Sequence, residues 1–64
     1  MEWQKGIEDN RNVCVKTTKN AHAYLEELHP GDVWIGWFQG KFIRLFFDGL
    51  DTAKKYFDEN HFGV

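Results

Sequence analysis

Residues 32–47, Asp-Val-Trp-Ile-Gly-Trp-Phe-Gln-Gly-Lys-Phe-Ile-Arg-Leu-Phe-Phe, constrain the chain more than any other segment. Two runs rich in β-branched and aromatic side chains flank Gln39-Gly40, the pattern of a tight antiparallel hairpin. Its register can be argued from side-chain alternation. With a loop of Gln39-Gly40 alone, Ile35 would face Arg44 and each sheet face would mix aliphatic, aromatic and charged groups. A three-residue loop, Phe38-Gln39-Gly40 with Gly40 left-handed, pairs Val33 with Leu45, Ile35 with Ile43 and Trp37 with Lys41. That register makes one face aliphatic and the other aromatic, with Trp34 across from Arg44, Gly36 from Phe42 and Asp32 from Phe46.

Around this hairpin the pattern predicts four other pieces. Residues 12–17 read as a strand, with Val13 and Val15 on one face and Cys14 and Lys16 on the other. Ala21, Tyr24, Leu25 and Leu28 fall at helical spacing, after a cap at Thr18 or Asn20 and before Pro30-Gly31. Leu50, Ala53 and Phe57 repeat the stripe between Asp48-Gly49 and a cap at Gly63. Residues 1–11 are an arm or an edge strand, alternating loosely over 3–7. The expected fold class is α+β in the order (β)-β-α-β-β-α. Its sheet has three strands, or four with the arm, and both helices pack on the aliphatic face together with Val13 and Val15.

Length limits the core. A chain of 64 residues is one small domain, and such domains bury only about 60% of the surface exposed on unfolding. Cys14 is the sole cysteine, so neither an internal disulfide nor a multi-thiolate zinc site reinforces it. Aromatics make up 17% of the residues and are the compensation at hand. The formal charge of −2 gives no long-range pull toward phosphate. The start of the chain lacks the pattern of a secretory signal, and no apolar run approaches a membrane span. With the lone cysteine, this makes the cytoplasm the expected location.

Chemistry-bearing patterns are sparse. Cys14 lies in an alternating strand with no adjacent base, the setting of a small buried side chain. His22 and His29 would lie about 10 Å apart on a helix, too far for one metal, and His22 with Glu26 has no third ligand. Asp48 and Asp51 are accounted for by favourable charge at a helix start. Gly36, Gly40 and Gly49 form no nucleotide-binding pattern. No catalytic residue, metal or cofactor is therefore expected.

The aromatic face is the feature with functional meaning. Trp34, Phe38, Phe42, Arg44 and Phe46 are the expected contact residues for a protein partner, as aromatics and arginine dominate interface energetics. Two bland readings stand beside it: the arm with Trp3 and Ile7 covers this face, and Arg44 forms only a cross-strand cation–π pair with Trp34. Stacking of single-stranded nucleic acid on the same rings is the competing function, discounted because the basic residues are dispersed among ten carboxylates. A homodimer burying the patch is the third. In brevity, acidic tilt and aromatic content the chain loosely resembles small accessory proteins of phages and mobile elements, which implies a regulator or inhibitor of a larger protein.

Overall fold

The computed structural model describes residues 2–29 and 33–62, apart from the side chains of His29, Arg44 and Leu45. Five strands, β1 (Gln4–Glu8), β2 (Arg11–Thr17), β3 (His22–His29), β4 (Val33–Phe38) and β5 (Lys41–Asp48), precede one helix, α1 (Leu50–Asn60). The strands form one sheet in sequence order, and every neighbouring pair is antiparallel. This mostly-β meander replaces the expected α+β arrangement of two helices on a three-stranded sheet.

The main correction is β3. His-Ala-Tyr-Leu-Glu-Glu-Leu-His contains good helix formers and no β-branched residue, so local propensity favours a helix. Pairing overrides it. An isolated helix of this length is marginal, whereas a strand here bonds to β2 on one side and β4 on the other. Alternation also places Ala23 and Leu25, both fully buried, in the core. Thr18 accordingly closes a turn rather than capping a helix: its amide donates to the Ala21 carbonyl at 2.8 Å and its Oγ1 accepts from the Ala21 amide at 3.1 Å. Pro30, Gly31, Asp32 and Gly63 lie outside the described residues.

The β4–β5 hairpin stands where the pattern predicts, but with the register first set aside. Gln39 and Gly40 both have positive φ, 54° and 80°, forming a two-residue loop across which Phe38 faces Lys41 and Trp37 faces Phe42. The twist of such a turn matches the twist of the strands it joins. A register shift between Ile35 and Trp37 then brings Ile35 opposite Phe46 and Trp34 opposite Phe47. The β1–β2 turn is built alike, with Asp9 and Asn10 at φ 51° and 64°.

Helix α1 packs on β4 and β5. Its start differs from expectation in one respect: the N-cap is Gly49, at φ 101°, without a side-chain capping bond, while Asp51 lies in the first turn. Phe57 is fully buried and is the hub of the core, with ring centroids of Phe38, Phe47, Tyr56 and Trp3 at 5.5–6.3 Å. Beneath it lie Cys14, Ala23, Leu25, Trp34 and Phe47. The face under the helix is thus the one carrying Trp34, Gly36 and Phe38. Gly36 explains the choice, because any side chain there would meet the ring of Phe57 and the helix could not settle. Val13 and Val15 point away from the helix and Cys14 toward it, the reverse of the expected sorting.

The N-terminal arm also joins this side. Trp3 packs edge-on against Phe57 and Phe62, and its indole N–H donates to the Asp58 carboxylate at 3.2 Å. Asp58 accepts in addition from Lys16 Nζ at 2.6 Å. The Lys16 ammonium sits 4.7 Å from the centre of the Phe62 ring. Trp3 therefore covers an edge of the core and leaves the far side of the sheet open.

Candidate functional site

With the helix on one face, the opposite face carries the complementary set of side chains. Two rungs cross it, the first running Gln4, Val15, Tyr24, Trp37, Phe42 and the second Gly6, Val13, Glu26, Ile35, Phe46. Along the first rung the rings touch in sequence, Tyr24 to Trp37 and Trp37 to Phe42, each with centroids 5.3 Å apart. Phe42, at the end of that rung, is 47% exposed, and on the second rung Phe46 stands 71% exposed beside a half-buried Ile35. Large apolar side chains thus form a continuous strip over β3, β4 and β5, unlike the scattered exposed apolar residues of an ordinary surface.

The residues expected to form the contact face divide between the two sides. Phe42 and Phe46 lie on the open strip. Trp34 is only 6% exposed, in the core cluster, and Phe38 stacks on His61 at 4.4 Å beneath the helix. Both are withdrawn from the candidate surface, since the observed register and the gap at Gly36 turn them inward. Arg44 belongs to β5, but its side chain lies outside the described residues; the cross-strand partner of Trp34 is Phe47. Tyr24 and Trp37 were not expected here. Recognising Tyr24 required reading β3 as a strand, and Trp37 required placing the helix on the opposite, Gly36-bearing face of the hairpin.

One end of the strip is polar. The Tyr24 hydroxyl donates to Glu8 Oε1 at 3.1 Å, and Arg11 pairs with Glu26. Tyr24 has its pKa pushed up to about 12, first by burial, then by the hydrogen bond to Glu8 and the charges of Glu8, Glu26 and Asp9. Glu8, Asp9, Arg11, Tyr24 and Glu26 line a depression of about 320 Å³. A second, of about 290 Å³, lies on the other side of Tyr24 between His22, Trp37 and Gly40.

Cys14 is fully buried, and burial pushes its thiol pKa up against the opposing pull of Lys54 and Lys5. His22 Nδ1 is hydrogen-bonded to Thr17 Oγ1 at 2.7 Å. Among the described residues no three His, Cys, Asp or Glu side chains are grouped to hold a metal. No helix among them is long and apolar enough to cross a membrane. Set against family models, curated proteins and solved structures, the chain matches none of them.

Proposed function

We propose that this chain is a non-enzymatic, cytoplasmic protein-binding module, a small regulator or inhibitor that docks on a larger protein through the open face of its sheet. Tyr24, Ile35, Trp37, Phe42 and Phe46 form the contact strip. The supporting observation is the exposure of Phe42 and Phe46 at 47% and 71% beside rings already packed against one another. Pre-packed rings lose little side-chain freedom on docking, so their burial contributes to affinity with small entropic loss. A buried, raised-pKa thiol at Cys14 agrees with a protein of a reducing compartment that uses no cysteine chemistry.

The test is affinity capture from extract of the cells that encode the chain, comparing the parent with a Phe42→Ser, Phe46→Ser variant whose circular dichroism shows it folded. A partner retained by the parent and lost by the variant is the expected result. Equal recovery by both would sink the assignment of this face.

A further inference from the structure

Among the described residues the lysines lie away from the open face while several carboxylates lie on it, and this bears on what the strip can receive. On the open face and its turn, the described carboxylates are Glu2, Glu8, Asp9, Glu26 and Asp48. The other described charged or titratable groups there are Arg11, already paired with Glu26, His22, already bonded to Thr17, and Tyr24, which donates to Glu8. The lysines lie elsewhere. Lys5 and Lys16 share the helix side of the sheet with Cys14 and Ala23, Lys54 and Lys55 are on α1, Lys41 faces Phe38, and Lys19 is in the β2–β3 loop.

We infer that the open face takes a protein segment carrying a lysine or arginine beside apolar side chains. The cation sits against Glu8 and Asp9 in the depression that the Arg11–Glu26 pair also lines, and its apolar neighbours lie along Tyr24, Trp37 and Phe42. The inference rests on the docking role proposed above and adds the chemistry of the occupant. Tyr24 joins the two depressions, since its ring lines both, so one extended segment can fill them with adjacent side chains. Charge complementarity selects this occupant over others. Two copies meeting through this face would bring like-charged carboxylates together, and a phosphate backbone would be repelled by the same groups.

Selection of random short peptides on the immobilised protein tests this without knowledge of the natural partner. The best peptide is then resynthesised and its affinity measured by Trp37-sensitive fluorescence on the parent, Glu8→Lys, the milder Glu8→Gln, and Phe42→Ser with Phe46→Ser. The expected outcome is enrichment of Lys or Arg next to Leu, Ile or aromatic residues. Affinity should fall about tenfold or more on Glu8→Lys, less on Glu8→Gln, and with rising salt. Apolar peptides without basic residues, lost on the phenylalanine variant but indifferent to Glu8, would overturn the basic occupant and leave the docking face standing. Peptides that bind the phenylalanine variant as well as the parent, or no enrichment on the parent over that variant, would overturn both. So would a parent that is a dimer by sedimentation and becomes monomeric on Phe42→Ser.

Discussion

Gly36 lies directly beneath Phe57: a Cβ at Gly36 would come within 2.7 Å of two carbons of the Phe57 ring and 3.0 Å of Leu25. The contact joins the middle of β4 to the buried side of α1 and sets how closely helix and sheet approach. Gly36→Ala is expected to destabilise the fold by about 1–3 kcal/mol, the usual effect of overpacking a filled core. Combined with Phe57→Leu, the same substitution should cost less than it does alone, because the flatter clash is removed. Urea denaturation of the two single variants and the double variant measures this coupling; strict additivity would show that the two positions do not oppose one another.

Tyr24 makes stability fall in alkali. Its pKa is about 12 in the folded chain against an ordinary value of 10, so the folded state holds the phenolic proton more tightly than the unfolded one. The associated stability is fully present below pH 10 and is lost as pH rises through 12. Ultraviolet titration should show the Tyr24 phenolate forming near the upper value, and Glu8→Gln should move that midpoint down by removing the negative charge and leaving a weaker, neutral acceptor. Tyr24→Phe should flatten the alkaline loss of stability; an unchanged slope would assign it to another group.

Asp58 holds the N-terminal arm to the helix by accepting from Trp3 and Lys16 together. The Lys16 side chain is only 15% exposed, the Asp58 side chain 42%, so the pair is partly shielded and worth more than an open surface bridge. Asp58→Ala is expected to cost about 1–2 kcal/mol and to shift Trp3 emission. Adding Lys16→Met should recover part of that loss, since an apolar side chain beneath Trp3 and Phe62 needs no counter-charge. A double variant less stable than Asp58→Ala alone would contradict this account.

Gln39 ties two loops together at one end of the sheet. Its Oε1 accepts from the His22 amide and its Nε2 donates to the Asn20 carbonyl, each at 2.9 Å. Gln39→Gly relieves the left-handed backbone by about 1 kcal/mol but removes both bonds, each worth about 1 kcal/mol. The net expectation is a modest loss of stability with faster hydrogen exchange at the His22 amide. Gln39→Asn tolerates the backbone but is too short to bridge, and should speed exchange at the same amide. Unaltered exchange in both variants would remove the bridging role.

Local pattern reveals some of these elements and hides others, for physical reasons. The alternation of residues 12–17, the turn at Gln39-Gly40 and the stripe of Leu50, Ala53 and Phe57 depend on near neighbours, and the structure has a strand, a turn and a helix there. β3 escaped because its residues favour a helix until β2 and β4 are available to pair with it. Face assignment failed at Gly36, which reads as a weak point in a strand unless the ring of Phe57 is known to rest on it. From that error followed the outward placement of Trp34 and Phe38, which the structure packs into or against the core, and the omission of Trp37 from the site, while Tyr24 was missed together with β3. Phe42 and Phe46 come to the open face even so, because the two-residue turn, one residue shorter than the expected loop, moves them onto the face of Trp37 and Ile35, and the later shift by two residues leaves that face unchanged.

The meander has a consequence for biosynthesis. Each strand pairs with the one made just before it, so the nascent chain can extend its sheet hairpin by hairpin as it leaves the ribosome. Phe57, however, follows every strand, and until it emerges Ala23, Leu25, Trp34 and Phe47 have nothing above them. During that interval both sides of the ribbon expose apolar side chains, so a chain whose helix has yet to dock is the species most open to aggregation.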